Sequence, residues 1–397
     1  MLKINKNPIK VMVSAGELSG DEHAALLAAA LKRKIGDKIE LFGMGGQALR
    51  GAGCETFVDS EKEASVMGFV DVALNIRKIF AALALLKRVC QERRPDLLVL
   101  VDFPDFNLRL AKFAHGLGIK TFYFIPPSVW AWREGRIKTI AKYIDAAGLI
   151  YPFEEKFYVA HGYNNAKFIG HPFCSKFDAT PFTLKDRVQF CERHELNPKR
   201  PIFALFPGSR TKEIDRHMEI LKEASIRFVA KHPEVQIVVS LAKNLPSELL
   251  GNIIKAAPHL KLISDDPFSV MRSSDAALLK SGTSNLEAAF AGLPFSMFFK
   301  TGLLSEIIVR AMVRTKEYSI VNLIRSGTVR ELVQRAVSPA NLVQEMEELL
   351  FNDARRLEIK TGLSEVVSAL RREAEVSAYD KAANICDSLL PASRAEP

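Results

Sequence analysis

The stretch PIFALFPGSRTKEIDR, residues 201–216, decides the predicted fold. Ile202 to Phe206 is an apolar run typical of a buried strand, the Pro-Gly-Ser after it breaks the strand, and a helix containing Glu213 is expected to follow. Such a helix points unpaired backbone N–H groups into the loop, which favours a bound anion. Gly208 allows close approach of a phosphate and Arg210 adds a guanidinium, so a diphosphate site is predicted. An ordinary turn with a solvent-exposed arginine is the alternative for this loop alone.

A second stretch repeats this design. Residues 276–287, AALLKSGTSNLE, read as an apolar strand, a small polar loop of Ser281, Gly282 and Thr283, and a helix that carries Glu287. Two such loops in one half of the chain suggest a nucleotide held between them.

The amino-acid composition and net charge favour some classes of binding partner over others. The 397 residues predict roughly two to three domains. Lys and Arg number 55 against 46 Asp and Glu, and the net charge of +9 favours phosphorylated substrates or an anionic membrane surface. Nucleic acid is not expected, because no recognition motif for it is present.

The five cysteines show no close pairing, which favours reduced thiols and a cytoplasmic protein, and no spacing typical of a metal site is found. No signal peptide or membrane span is evident, so a soluble or peripheral protein is expected.

Strand-like and helix-like segments alternate in both halves, which predicts an α/β fold of two doubly wound domains. We expect an N-terminal domain over 1–173, an irregular linker over 174–200, a second domain over 201–365, and C-terminal helices over 366–397 that pack on the domains or bridge them. The stretch 43–48 matches the dinucleotide fingerprint G-x-G-x-x-A, but it follows the second strand and is interpreted as a plain tight turn.

One apolar strand, Leu97 to Val101, ends in two carboxylates. The carboxyl end of a strand in an open α/β sheet faces the ligand crevice, so Asp102 or Asp105 could act as a general base there. The alternative is that either residue caps the next helix, and for Asp105 the sequence favours the cap.

Both tryptophans of the chain lie in PPSVWAWR, residues 126–133, directly after another strand. Two prolines, two indoles and an arginine could form a wall for a sugar ring, or a structural plug under a loop. His171, near the end of this half, is interpreted as a ligand-facing or a structural histidine.

The helix predicted over 66–90 is too apolar for one buried face. It is interpreted either as a core or domain-interface helix, or as an interfacial helix that dips into anionic lipid.

Taken together, these motifs resemble those of the lipid-A-disaccharide synthases, inverting glycosyltransferases of the GT-B architecture with two Rossmann-like domains facing across a cleft. The resemblance runs nearly end to end. It is carried by AGELSGD (15–21), VMGFVDV (66–72), VDFPDFN (101–107), PPSVWAWR (126–133), FIGHP (168–172), LFPGSR (205–210), SGTSNLE (281–287) and VNLI (321–324).

The resemblance implies transfer of a diacylated glucosamine from UDP to the 6-hydroxyl of 2,3-diacylglucosamine 1-phosphate, which gives a β-1,6 disaccharide and UDP without a metal or other cofactor. Asp102 matches the family's base, and Arg210 matches the arginine that holds the UDP phosphates. The other positions on the UDP side are Ser209, Glu213, Ser281, Gly282, Thr283, Glu287, Asn322 and Gln334. Those on the acceptor side are Ser19, Asp21, Asp105, Ser128, Trp130, Trp132, Arg133 and His171.

The resemblance also implies a peripheral protein on the inner face of the inner membrane, which collects acylated substrates from the bilayer. The membrane-contacting side chains would be Phe69, Val72, Ile76, Ile79, Phe80 and Leu83. Four positions depart from the family pattern, namely Pro126, Lys280, and the neighbours Glu22 and His23. Lys280 stands where a small residue is usual, and it could add charge near the phosphates or point to solvent.

Other readings stay open at this point. One is another GT-B enzyme of UDP-sugars, such as an N-acetylglucosaminyltransferase or an epimerase, and another is a non-catalytic UDP- or lipid-binding protein. The sequence also leaves a homodimer open.

Overall fold

A computed structural model describes residues 8–36, 38–61, 72–178, 182–242, 255–302, 317–371 and 376–391, together with the single residues 245, 253 and 315. Two compact units are present. The first consists of Met1–Ser175 and Leu370–Pro397, and the second of Lys176–Ala369.

The first unit is built on one parallel sheet. Its strands are β1 (Ile9–Ala15), β2 (Ile39–Gly45), β3 (Glu55–Asp59), β4 (Leu97–Val101), β5 (Lys120–Phe124), β6 (Ala146–Leu149) and β7 (Ala166–Phe168). Its helices are α1 (Leu18–Ile35), α2 (Gln47–Gly51), α3 (Val72–Arg93), α4 (Pro104–Gly116), α5 (Arg136–Tyr143), α6 (Glu154–Ala160) and α7 (Pro172–Asp178), the last of which runs on into the second unit. Within the described ranges the strand order is β3-β2-β1-β4-β5-β6-β7.

Both faces of this sheet are covered. Along β4, Leu97, Val99 and Val101 belong to one buried cluster and Leu98 and Leu100 to another, because successive side chains of a strand point to opposite faces. This is why the strand is apolar throughout, and the prediction of a central parallel strand is confirmed.

The second unit repeats the plan. Its strands are β8 (Ile202–Phe206), β9 (Gln236–Ser240), β10 (Leu260–Ile263), β11 (Ala276–Lys280), β12 (Phe295–Phe299) and β13 (Glu331–Val333). Its helices are α8 (Leu184–Arg193), α9 (Thr211–Lys231), α10 (Pro267–Ser273), α11 (Ser284–Ala291), α12 (Ile320–Ile324), α13 (Pro339–Phe351) and α14 (Asp353–Leu370). In this part of the structure the strand order is β10-β9-β8-β11-β12-β13, and every pair is parallel.

The strand order reverses direction at one point in each sheet. That point lies between β1 and β4 in the first unit and between β8 and β11 in the second. Loops that leave the carboxyl ends of the two strands at such a switch point diverge, and the crevice between them is where open α/β sheets bind ligands. The topology therefore puts the loops after β1 and β4, and those after β8 and β11, at the two candidate sites.

The stretch 174–200, expected to be irregular, is largely helical. Helix α7 runs to Asp178, and α8 begins after Thr183, whose hydroxyl and backbone form a capping box with Asp186. Phe190 and Cys191 of α8 are buried. The polar residues of this stretch are the exposed face and the cap of an amphipathic helix, which a reading based on overall polarity misses.

The C-terminal helix α15 (Ala378–Leu389) packs on α1 in the first unit. Its buried face consists of Ala378, Tyr379, Ala382, Ala383 and Cys386. The Tyr379 hydroxyl lies 2.9 Å from Nδ1 of His23, so this departure from the family pattern is part of the contact between α1 and α15.

Helix α3 contains most of the segment expected to contact a membrane. Leu83 is only 5% exposed and lies in the core cluster with Leu86, so its assignment as a membrane contact is wrong. Ile79 packs against the same cluster, whereas Phe80 is 48% exposed. Phe69 lies outside the described residues, as do the side chains of Val72 and Ile76. Within the described ranges no helix combines the length and apolarity needed to span a bilayer.

Candidate active site

Asp102 follows β4 in a backbone conformation that residues other than glycine rarely adopt. Its φ is 49° and that of Phe103 is 48°, so two successive non-glycine residues lie in the left-handed region. Helix α4 then begins at Pro104 with Phe103 in the N-cap position. Asp105 therefore lies inside the first turn and not at the cap, which corrects the expected capping role.

A buried amide holds this turn in place. Asn107 is fully buried, and its Nδ2 donates to the carbonyl oxygens of Asp102 at 2.7 Å, Val101 at 3.2 Å and Ser14 at 3.3 Å. Its Oδ1 accepts a hydrogen bond of 2.7 Å from the Ser14 hydroxyl. The Tyr123 hydroxyl donates to the Asp102 carbonyl as well, at 2.7 Å. These bonds from β1, β5 and α4 offset the strain of the left-handed turn.

The carboxylate of Asp102 is poised to accept a proton. Burial raises its pKa above the ordinary value, although the Phe103 backbone N–H lowers it in part. Glu17, in the loop after β1, has a pKa raised by burial and by the negative charge of Asp102. Two carboxylates therefore share the switch point of the first sheet, and a raised pKa makes Asp102 a stronger base than an exposed aspartate.

The loop after β1 packs closely on this turn. A side chain at Gly16 would place its Cβ 2.2 Å from the Phe103 ring, so only glycine fits there. Ser19 is exposed in the first turn of α1. Asp21 is fully buried and accepts hydrogen bonds from the backbone N–H groups of Gly46, Ala48 and Leu49. Its predicted contact with the acceptor is wrong, because both of its oxygens are used at the amino end of α2.

Trp130 is held by a buried carboxylate. Its Nε1 donates to Oε1 of Glu154 at 2.9 Å, while Oε2 accepts from the backbone N–H groups of Ile150 and Tyr151. Burial raises the pKa of Glu154 to about 7, although these donors oppose the shift. The Trp130 ring packs edge-on against Phe153. Trp130 thus anchors its loop, and because its side chain stays partly exposed, its contact with a sugar remains a prediction.

Trp132 remains available to a ligand. It is 40% exposed, and the guanidiniums of Arg133 and Arg136 lie 4.7 and 5.4 Å from its ring centroid. Both arginines also pair with Asp105, Arg133 at 3.2 Å. Ser128 is half-buried, and its carbonyl oxygen accepts a hydrogen bond from Ala131 in the turn before the exposed indole.

His171 has a structural environment. It is buried, its Nδ1 accepts from the backbone N–H of Phe173, and its ring packs against Tyr151 and Phe173. Burial, together with the nearby His23, lowers its pKa to about 3. A ligand-facing role is wrong, because the ring is neutral and enclosed.

In the second unit the loop after β8 has the predicted strand–loop–helix form. Gly208 has a φ of 120°, and a Cβ there would lie 2.7 Å from Oε2 of Glu213. Helix α9 starts at Thr211, with Arg210 in the N-cap position and without a side-chain hydrogen bond from the cap. Ser209 is exposed, and the Arg210 side chain is 80% exposed. Glu213 pairs with Arg210 at 3.6 Å and with Lys280 at 3.2 Å.

The loop after β11 lies beside the loop after β8, because the two strands are paired with Leu279 opposite Phe206. Gly282 and Thr283 are exposed before α11, and the Ser281 hydroxyl donates to the Tyr318 carbonyl at 3.2 Å. Glu287 is half-buried in the first turn of α11. Burial raises its pKa, which Lys176 opposes.

Asn322 and Gln334 are wrongly predicted as nucleotide contacts. Asn322 is buried, donates to the Val329 carbonyl and to Glu331, and accepts from the Val329 N–H. Gln334 is also buried, and its Oε1 accepts from the Thr301 N–H. Both side chains are buried and bond to nearby backbone groups, which argues against direct contact with a nucleotide.

Comparison with known proteins identifies the family. The profile of the family described as lipid-A-disaccharide synthetase matches residues 11–386. The chain belongs to the lipid-A-disaccharide synthase family. The lipid-A-disaccharide synthase of Myxococcus xanthus (strain DK1622) is 36% identical over 390 residues, which cover 98% of this chain and 99% of the relative. That of Anaeromyxobacter dehalogenans (strain 2CP-C) is 38% identical over 378 residues, with 92% and 96% covered.

Solved structures agree on the fold of this lipid-A-disaccharide synthase family member. The glycotransferase of kitacinnamycin superposes with a TM-score of 0.64 at 14% identity, covering 97% of this chain and 100% of the other. The UDP-GlcNAc 2-epimerase of Neisseria meningitidis, bound to UDP-GlcNAc, gives 0.59 at 12% identity, with 92% and 98% covered. The expected GT-B class is thereby confirmed.

Three residues that contact or neighbour the predicted site residues were not found from the sequence, namely Glu17, Asn107 and Glu154. Glu17 and Asn107 lie inside motifs that carry the family resemblance, and their position in the loop after β1 and in the first turn after β4 was the available signal. Glu154 had no such signal, because its partner Trp130 lies 24 positions away. In the part of the chain that the structure describes, no three His, Cys, Asp or Glu side chains cluster as metal ligands would.

Proposed function

We propose that this chain transfers 2,3-diacylglucosamine from UDP to the 6-hydroxyl of 2,3-diacylglucosamine 1-phosphate, with inversion at the anomeric carbon. The products are the β-1,6-linked disaccharide 1-phosphate and UDP. The observation that supports this most is the match to lipid-A-disaccharide synthases over nearly the whole chain. The first unit adds a partly buried carboxylate, and the second unit adds a basic loop at the amino end of a helix.

The reaction needs a base and a stabilised leaving group. Asp102 takes the proton of the acceptor 6-hydroxyl as its oxygen forms a bond to the anomeric carbon. The bond from that carbon to the diphosphate breaks, and the electron pair leaves with UDP. Arg210 and the unpaired N–H groups at the start of α9 stabilise the negative charge that develops on the diphosphate.

The remaining positions bind the two substrates. Ser281, Gly282 and Thr283 line the phosphate loop, and Glu287 binds the ribose hydroxyls. On the acceptor side the predicted residues that stay at least partly exposed include Ser19, Ser128, Trp130, Trp132 and Arg133, and the exposed Asp105 orients the arginine.

The test is release of UDP from UDP-2,3-diacylglucosamine with and without diacylglucosamine 1-phosphate. We expect UDP only when the acceptor is present, with Asp102→Asn lowering kcat about 10²- to 10⁴-fold and Arg210→Ala lowering it about 10²- to 10³-fold. Asp96→Asn, just before the amino end of β4, and Arg227→Ala, on the exposed face of α9, are the matched controls.

The outcomes separate the alternatives. Release of UDP without acceptor would indicate an epimerase-like reaction. A folded wild type that binds UDP and transfers nothing would indicate a non-catalytic binding protein. Equal activity of Asp102→Asn and Asp96→Asn would refute the role of the base.

We further propose peripheral attachment to the inner face of the inner membrane through α3. Phe80 is 48% exposed, the Arg109 guanidinium lies 5.4 Å from its ring centroid, and Arg77 and Lys78 are exposed beside it. An exposed aromatic ring among cations suits an anionic lipid surface.

Flotation with vesicles of phosphatidylglycerol and phosphatidylethanolamine tests this attachment. Phe80→Asp is expected to reduce the bound fraction several-fold, because it removes apolar contact and adds a negative charge. Val159→Asp is the control, since Val159 is also 48% exposed and lies in the same unit. Equal loss in both variants would argue against α3 as the attachment site.

A further inference from the structure

Lys280 and Arg210 share one carboxylate oxygen in the second unit. The Nζ atom of Lys280 lies 3.2 Å from Oε1 of Glu213, and Nη1 of Arg210 lies 3.6 Å from the same atom. Lys280 is the last residue of β11, whereas Arg210 and Glu213 belong to the loop after β8 and the first turn of α9. The three charges therefore connect the two loops at the switch point of this sheet.

This cluster carries one net positive charge. Partial burial acts to raise the pKa of Glu213, but Lys280 and Arg210 outweigh it and hold that pKa below the ordinary value, so the carboxylate stays ionised. Two cations and one anion give a sum of one positive charge, at a helix end that adds a partial positive charge.

The two cations are held differently. The side chain of Arg210 is 80% exposed, whereas that of Lys280 is 23% exposed. Oε2 of Glu213 occupies the space beside Gly208, where an added Cβ would lie 2.7 Å from it. Lys280 is thus a partly enclosed cation fixed at a strand end, and Arg210 is free to turn toward a ligand.

We propose that Lys280 is a second diphosphate-binding cation, and that Glu213 is a counter-ion which both cations leave when the diphosphate enters. This inference rests on the proposed function, because it assigns the ligand of the same site. A diphosphate carries more negative charge than one carboxylate and accepts more hydrogen bonds, so it competes well for both cations. Lys280 then adds a point charge where Arg210 adds a planar fork of donors.

The mechanism predicts selectivity for the phosphates of the nucleotide. Lys280 reaches the diphosphate and not the nucleoside, so its charge strengthens the binding of UDP and leaves that of uridine unchanged. Glu213 was expected among the UDP-binding positions; in this arrangement it instead opposes the binding of UDP, because its two partners must first be released.

Isothermal titration of the full chain with uridine and with UDP tests this. Lys280→Ala is expected to weaken UDP binding about tenfold or more, the loss of one charge-assisted hydrogen bond, with uridine affinity unchanged. Lys280→Met keeps the unbranched chain without the charge and should do the same. Glu213→Gln should bind UDP at least as tightly as the wild type.

Lys261→Ala is the matched control, because Lys261 pairs with Glu195 at 2.7 Å on an edge strand of the same sheet. It removes the same charge and should leave UDP affinity unchanged. Thermal unfolding of each variant verifies that it is folded.

Two results would overturn the inference. One is unchanged UDP affinity in both folded Lys280 variants. The other is an equal loss of UDP affinity in Glu213→Gln, which would mean that Lys280 only keeps Glu213 in place. A wild type that binds neither UDP nor the UDP-sugar refutes the proposed function itself, and this inference with it.

Discussion

Removal of the amide behind Asp102 tests whether the left-handed turn serves catalysis. Asn107→Ala deletes one acceptor and the donors to three carbonyls at a residue that is itself fully buried. The amide nitrogen carries two hydrogens, so its three donor contacts amount to two hydrogen bonds, and the accepted bond makes three. At a net value of about 1 kcal/mol per hydrogen bond, the expected loss of stability is about 3 kcal/mol. Tyr123→Phe removes a single bond to the Asp102 carbonyl and should cost about 1 kcal/mol.

The kcat of Asn107→Ala should fall further than its loss of folding stability explains. Two successive left-handed residues each cost roughly 1–2 kcal/mol, so without Asn107 the turn relaxes and the Asp102 carboxylate moves. A displacement of about 1 Å at a reacting group can lower the rate about 10²-fold. We therefore expect kcat for UDP release to fall about 10²-fold in Asn107→Ala, and less in Tyr123→Phe.

The assay combines kcat at saturating substrates with urea unfolding of the same preparations. Thr121→Val is the control, because its buried hydroxyl bonds to Tyr143 and Asp145 at the amino end of β5, away from the site. It should lose stability and keep its kcat. If Asn107→Ala and Tyr123→Phe behave like this control, the turn is a structural feature only and the reasoning is refuted. Tyr123→Phe keeps the test decisive if Asn107→Ala does not fold.

Two further predictions concern a glycine and a histidine. Gly208→Ala places a Cβ 2.7 Å from a Glu213 oxygen at a φ of 120°. It should lower the free energy of unfolding in urea by more than about 1 kcal/mol and raise KM for the UDP-sugar. An unchanged KM would mean that this loop does not bind the nucleotide. His171 has a folded-state pKa of about 3 against an ordinary value of 6.5, so the unfolded state binds its proton first and stability falls as the pH drops from 6.5 toward 3. His171→Gln has no such titrating group, so between pH 7 and pH 4.5 its free energy of unfolding should fall by about 2 kcal/mol less than that of the wild type, as measured from the urea midpoints. Equal changes in the two proteins would contradict a buried, neutral His171.

The sequence was sufficient to predict the two sheets, because the strands of a parallel sheet that is covered on both faces are apolar at nearly every position. Leu97 to Val101 and Ile202 to Phe206 coincide with the observed β4 and β8. Asp102 and Arg210 could be placed for the same reason, since each follows such a strand at its carboxyl end. Helix α8 was missed because only a 3.6-residue pattern of few apolar residues marks it.

The sequence was insufficient for polar residues whose partners are distant along the chain. Asp21 binds backbone groups 25 to 28 positions away, and Trp130 binds Glu154. A side chain beside a predicted site is available to a ligand only if no other group of the protein has already taken its hydrogen bonds. That condition depends on tertiary contacts, which local patterns do not contain.

The two candidate sites differ in how their charged groups are held, and this difference bears on the mechanism. Asp102 is fixed by buried neutral donors, Asn107 and Tyr123, which do not depend on the ligand. Arg210 is 80% exposed, and its charge is balanced by Glu213 in the first turn of α9. A preorganised base needs no rearrangement when the acceptor hydroxyl reacts, whereas a cation that must leave a counter-ion rearranges when the nucleotide binds. Changes behind Asp102 should therefore appear mainly in kcat, and changes in the balance around Glu213 mainly in nucleotide affinity.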